Sequence, residues 1–186
     1  MPRNFMFSKE EIISAALDLT REKGFSAVSA RSLGEKLGTS SRPIFGRFKN
    51  MAEVQSAIIT AAAALYQSHI KKEIASGKYP EYKASGMAYI RFANEERELF
   101  KLLFMRDRTN EEKDDSLIEV DWIIDIICAQ SNISREDAYN FHLEMWVYVH
   151  GIATMIATGY LDWNEELASR ALTDAYFGLK MRYKSK

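Results

Sequence analysis

Between Gly34 and Glu53 the chain reads Gly-Glu-Lys-Leu-Gly-Thr-Ser-Ser-Arg-Pro-Ile-Phe-Gly-Arg-Phe-Lys-Asn-Met-Ala-Glu, and few folds accommodate that order of turn formers and apolar residues. Leu33 and Leu37, four apart, share one helical face. Gly38 then supplies the positive backbone angle that lets the chain leave one helix and enter a tight turn. A second helix begins between Ser40 and Arg42, where hydroxyls stand ready to cap it. Pro43 falls in its first turn, the one helical place that tolerates a missing N–H, and it disfavours a helical Arg42, so the first residue is left open. Ile44 and Phe48 face inward, which leaves Ser41, Arg42, Phe45, Gly46 and Arg47 pointing outward. A core gains nothing from that set. Small polar residues, two arginines and an aromatic suit a DNA major groove, where arginine reads guanine or grips phosphate. The pattern is that of a helix-turn-helix; the competing reading is a bundle corner whose charges are merely solvated.

The rest of the chain is compatible with that reading. Its 186 residues fit one large or two small domains, and 47% hydrophobic with 27% charged residues describes a soluble globular protein. Apolar runs such as Ala61 to Tyr66 are far shorter than the roughly 18 residues of a membrane span, and Met1 to Glu10 lack the apolar core of a signal peptide. The expected compartment is the cytoplasm, with no membrane partner. The single Cys128, set among Ile126, Ile127 and Ala129, has no internal disulfide partner and reads as a packing residue. Residues 1 to 50 hold nine Lys and Arg against five Asp and Glu, a net of +4, whereas the remainder holds sixteen against twenty-one, a net of −5. Only the N-terminal part is suited to a polyanion.

Helical periodicity runs throughout. Ser8 and Glu11 form a capping box for a helix carrying Ile12, Ala15, Ala16 and Leu19 and ending at Gly24. Ser29 is placed to cap the helix that bears Leu33 and Leu37. With Arg31 in its exposed first turn, a free hydroxyl and free N–H groups there could hold a phosphate. Asn50 and Glu53 start a long alanine-rich helix through Ile58, Ile59, Ala62 and Leu65 to about Ile74.

The residues Ile12, Ala15-Ala16, Leu19, Gly24, Ser29, Leu33, Leu37-Gly38, Ser40, Ile44-Phe45 and Phe48-Lys49-Asn50 resemble, in order and spacing, the N-terminal domain of the tetracycline-repressor (TetR) family of transcriptional regulators. The resemblance covers residues 8 to 60. It implies an all-α homodimer with an N-terminal three-helix DNA-binding domain (residues 1–52) and a larger helical domain for dimerisation and small-effector binding (residues 53–186). The partners so implied are a palindromic duplex operator, a second copy of the chain and a small molecule. Two positions depart from the family pattern: Phe45 stands where a tyrosine is usual and Met51 where a lysine is usual, which weakens or removes two phosphate contacts that the resemblance implies and makes the expected salt dependence shallower. The DNA-facing set is Ser29, Arg31, Ser40, Ser41, Arg42, Pro43, Phe45, Gly46, Arg47 and Lys49.

Gly77 to Tyr82 reads as a hinge, followed by one helical stretch from about Tyr82 to Met105 and a polar loop over Arg106 to Asp115. A helix carrying Leu117, Val120, Ile124 and Ile127 comes next, then one from Ser134 to about residue 159 and a last one from Glu165 to Tyr183. Bulky residues with polar tips, namely Tyr89, Phe92, Phe100, Trp122, Phe141, Met145, Trp146 and His150, compose a candidate ligand pocket as well as a plain core. Small residues permit close helix approach, so Ala153, Ala157, Ala168, Ala171, Leu172, Ala175, Gly178 and Leu179 mark a four-helix dimer interface or, alternatively, packing within one subunit.

Nothing signals an enzyme. His142 and His150 are too far apart along one helix to hold one metal ion, no phosphate loop or nucleophile elbow appears, and no cofactor or catalytic residue is expected. The competing function is a helical ligand-binding or enzymatic protein that no longer reads DNA.

Overall fold

A computed structural model describes residues 6–109 and 120–184. The described residues are all-α: nine α-helices and a single 3-10 turn at Phe25–Ala27. The helices are α1 Lys9–Lys23, α2 Ala30–Lys36, α3 Arg42–Phe45, α4 Met51–Ala75, α5 Glu81–Glu95, α6 Arg97–Phe104, α7 Val120–Ser131, α8 Arg135–Ala157 and α9 Glu165–Lys184. The outer part of the expected 106–115 loop, and Leu117 of the expected stripe, lie outside the described residues, as does the side chain of Val120.

Two compact units emerge, and their boundaries cut the chain more than once. Residues up to Leu65 join with Glu96–Arg106 in the first unit; Tyr66–Glu95 and the residues from Asp107 onward form the second. The sequence reading had placed one cut, after residue 52.

In the first unit the predicted caps are in place. Ser8 Oγ accepts from the Glu11 amide at 3.0 Å while the Glu11 carboxylate accepts from the Ser8 amide at 2.7 Å. Ile12, Ala16, Leu19, Leu33, Ile44, Phe48 and Val54 are buried around one core. Leu37 is only half-buried, because it closes α2 as its C-cap instead of continuing the inward face. Gly38 has φ +68°, the angle the turn requires. Gly34 is needed for a second reason: a Cβ there would stand 3.0 Å from the Thr39 carbonyl oxygen and the Ser40 carbonyl carbon, so only a glycine lets α2 lie against the turn that follows it.

The segment Glu96–Arg106 completes this unit. The single stretch expected over 82 to 105 breaks at Glu96, which leaves helical geometry at φ −125°, ψ 51°. The cause is tertiary. Arg21 of α1 grips both Glu96 oxygens, Nε at 2.7 Å and Nη2 at 2.9 Å, and Leu99 and Leu103 of α6 are buried beside α1.

In the second unit α5 packs against both α8 and α9, and α7 covers α8 and α5. Phe141 lies at the centre of one aromatic group, with rings of Tyr176, Tyr183 and Tyr82 at 5.4, 5.8 and 6.2 Å. Ser134 caps α8 through the Asp137 amide at 3.1 Å, as its spacing predicts, and Gly77 turns the chain out of α4 at φ +65°.

Candidate nucleic-acid interface and aromatic cluster

The turn and α3 present their side chains unevenly. Ile44 and Phe48 are sealed beneath, while Ser40, Arg42, Phe45, Gly46 and Lys49 are exposed, Phe45 by 46% despite its apolar ring. Ser41 and Pro43 are half-buried. Ser40, not Ser41, supplies the cap: its Oγ accepts from the Arg42 amide at 3.4 Å. Neither Arg42 nor Lys49 has an ion-pair partner among the described residues, although the other basic side chains nearby mostly do. Lys9 pairs with Glu53, Lys36 with Glu22 and Arg31 with Glu35. The cationic surface left for a polyanion therefore centres on Arg42, at the start of α3, and Lys49, just ahead of α4.

Arg47 and Ser29 are placed differently from the sequence expectation. Arg47 is half-buried and its Nε donates to the Phe7 carbonyl at 2.8 Å, so it ties the chain ahead of α1 to the end of α3 instead of pointing outward. The Ser29 hydroxyl is not free. Ser29 and Ser32 form a reciprocal capping box, with the Ser32 hydroxyl donating a hydrogen bond to the Ala27 carbonyl at 2.7 Å. Glu53 has its carboxyl held below the usual range, chiefly by the Lys49 amide at 2.7 Å and next by Lys9, which fixes the start of α4 beside Lys49.

The residues marked for a ligand pocket divide into three groups. Phe100 belongs to the first unit, where it is buried against Phe104 at 5.1 Å. Phe141 and Met145 are buried in the core of the second unit, and Trp122 is half-buried on α7. Tyr89, Phe92, Trp146 and His150 do come together. Tyr89 Oη lies 2.9 Å from His150 Nδ1, and the Trp146 and His150 rings stack at 5.2 Å. Tyr66 and His69 of α4, which sequence reading had missed, complete the group: Tyr66 meets Tyr89 at 5.8 Å and Phe92 at 5.4 Å, and His69 meets Phe92 at 5.3 Å. Both lie on an alanine-rich helix whose apolar run disguised them. Burial raises the Tyr89 phenol and lowers His150. His142 bonds a different phenol, Tyr82 Oη at 3.2 Å, so the two α8 histidines serve separate clusters; no metal-holding group of three or more such ligands occurs among the described residues.

The small-residue stripe is largely consumed within the chain. Ala153, Ala157, Ala168 and Leu172 are buried in this single subunit, Ala171, Ala175 and Leu179 are half-buried, and Gly178 is exposed. Large apolar side chains are exposed instead on the neighbouring faces: Tyr139, Leu143 and Val147 at four-residue steps of α8, and Phe177 and Met181 of α9. No helix among the described residues is long and apolar enough to cross a membrane.

Comparison with known proteins matches both halves in order. A family model described as bacterial regulatory proteins, tetR family, matches residues 12–58, and one described as tetracyclin repressor-like, C-terminal domain, matches residues 82–175, just over half of the chain. A protein of unknown function from Rhodococcus sp. RHA1 has a similar structure, with TM-score 0.72, 19% identity, and coverage of 98% of this chain and 99% of that one. A TetR-like transcriptional regulator from the same source gives TM-score 0.67 at 15% identity, covering 100% and 98% of the two chains. A TetR variant from Acinetobacter baumannii AYE in complex with minocycline gives 0.54 at 17% identity, covering 96% of each. No match is found among curated proteins. A helix-turn-helix unit with an exposed cationic α3, followed by a helical domain matched over half the chain, places this protein in the TetR family of DNA-binding transcriptional regulators.

Proposed function

We propose that the protein is a homodimeric repressor that binds a palindromic operator and is released from it by an apolar small molecule held in the second unit. The observation that carries the DNA reading is the pair of exposed cations without an ion-pair partner among the described residues, Arg42 at the start of α3 and Lys49 just ahead of α4, on either side of the sealed Ile44 and Phe48. Arg42 is the base reader and Lys49 a phosphate contact; Arg47 positions α3 through Phe7. Site selection from random duplexes tests this, because a dimer with one recognition helix per subunit enriches a palindrome with half-sites about 34 to 36 Å apart. Arg42→Ala is expected to cost about 2 kcal/mol and relax one base position, whereas Lys49→Ala weakens all sequences alike. Equal losses on selected and random DNA for both variants would leave only nonspecific binding, and a selection with no enriched sequence would favour a helical protein that no longer reads DNA.

The dimer is assigned to the exposed face of α8 and α9, since Val147 and Met181 are 68% and 72% exposed in the single chain, and soluble proteins seldom leave a contiguous apolar face of this kind uncovered. Val147→Asp with Met181→Asp is expected to convert a dimer into a monomer in light scattering at micromolar concentration. Dimers that persist unchanged in that double variant would place the interface elsewhere. The ligand reading rests on Tyr66, Tyr89, Phe92, Trp146 and His150, a cluster of rings with polar tips, as ligand sites require. Helix α4 contributes residues to both units and is the proposed carrier of the response. A coupling of about 2.7 kcal/mol would lower operator affinity on the order of a hundredfold.

A further inference from the structure

Five threonines stand within helices or at their ends, and four behave alike. Thr20, Thr60, Thr158 and Thr173 each donate the hydroxyl to the carbonyl four residues back, at 2.8, 3.1, 2.7 and 2.8 Å. Thr154 does not. Its Oγ1 is sealed from solvent and has no hydrogen-bond partner among the described residues. A buried hydroxyl turned away from its own helix costs free energy unless something else satisfies it.

Its neighbours indicate what that partner is. Trp146, His150 and Thr154 follow one another at four-residue steps and so share one side of α8. Tyr89 Oη and His150 Nδ1 hydrogen-bond one another at 2.9 Å, and the Trp146 ring stacks on the His150 ring at 5.2 Å. That contact engages one nitrogen of the imidazole. Burial keeps it uncharged. The polar tips of Tyr89 and His150 are therefore engaged with one another, and Tyr66 and Phe92 extend the ring surface. Among the described residues, nothing claims the Thr154 hydroxyl on this side.

We infer that the effector is an uncharged, mainly aromatic molecule bearing one hydroxyl or carbonyl oxygen, and that Thr154 Oγ1 bonds that oxygen while the rings of Trp146, Tyr89, Tyr66 and Phe92 receive its body. This rests on the ligand-binding reading of the second unit. An ionic effector is disfavoured because this group of rings, with His150 kept neutral by burial, supplies no opposite charge to a desolvated ion.

Equilibrium dialysis of the full-length protein against 2-naphthol and naphthalene tests the inference, since the two probes differ by one hydroxyl. The wild type is expected to bind 2-naphthol about tenfold more tightly, the return from one buried hydrogen bond. Thr154→Val, close in shape, should bring the two probes to within about twofold, and Thr154→Ser should keep the preference. Without ligand, Thr154→Val should melt no lower than the wild type, because the lost hydroxyl had no partner. A preference that survives Thr154→Val, equal binding of both probes by the wild type, or a lowered melting midpoint in ligand-free Thr154→Val overturns the role of Thr154 and leaves the ligand site standing. Failure of the wild type to bind either probe overturns the ligand site itself.

Discussion

Arg91→Met lowers the stability of the protein by about 3 kcal/mol at neutral pH, measured by urea unfolding. Glu73 sits near the end of α4, 4% exposed, with Oε2 at 2.9 Å from Arg91 Nη1 and no hydrogen bond to Oε1 among the described residues. Arg91 also reaches Glu165 Oε1 at 3.2 Å, where Lys78 and the Tyr79 hydroxyl converge at 2.5 and 3.0 Å. Removing the guanidinium while keeping most of the stem leaves a carboxylate buried without a countercharge, the situation that costs about 3 to 5 kcal/mol in buried pairs. The lower end applies, because Arg91 is itself about a third exposed and water can reach part of the site. Glu73→Gln added to Arg91→Met should restore most of the stability. Glu165→Gln, which disturbs only the exposed side of the same network, should cost less than about 1 kcal/mol. A loss in Arg91→Met no larger than that of Glu165→Gln would mean the Glu73 carboxylate is adequately solvated without its arginine.

That network shows what sequence order can and cannot convey. The helix starts at Ser8 and Ser134, the turn at Gly38, and the contrast between sealed Ile44 and exposed Arg42 are all consequences of contacts within a few residues, so local spacing carries them. Local spacing carries the DNA-facing surface for the same reason. The break at Glu96 has no glycine or proline to announce it; it exists because Arg21, seventy-five residues away, binds the carboxylate on both oxygens. Arg47 has the same explanation, since its Phe7 partner is forty residues distant. Small residues at helical spacing permit close approach without naming the partner helix. Ala153, Ala157, Ala168 and Leu172 therefore read equally well as a dimer seam and as the intrachain packing they form. Tyr66 and His69 were hidden for a related reason: only the fold brings them to Phe92.

Acidification from pH 7 to pH 4 should remove about 3 kcal/mol of stability through His142 alone, about 2 of it by pH 5. Burial of the imidazole lowers its pKa from 6.5 to about 4, and a Tyr82 phenol that burial holds protonated faces Nδ1 at 3.2 Å. In the folded protein the ring is thus a neutral acceptor. Protonating it adds a second N–H against the Tyr82 hydroxyl, within a setting made mostly of the Phe141, Tyr82 and Tyr176 rings. In the unfolded chain the same ring takes up its proton near pH 6.5. Between the two values the unfolded state holds more protons, so stability is complete above about pH 6.5 and declines as pH falls toward 4; each pH unit across that interval is worth about 1.4 kcal/mol. His150, also lowered by burial, acts in the same direction. His142→Gln isolates the first contribution, because its amide oxygen can accept from Tyr82 but does not titrate. Urea unfolding of wild type and variant should give curves that converge as pH falls from 6.5 to 5, before most carboxylates begin to titrate. Parallel curves across that interval would show that His142 takes up its proton as readily in the folded protein as in the unfolded chain.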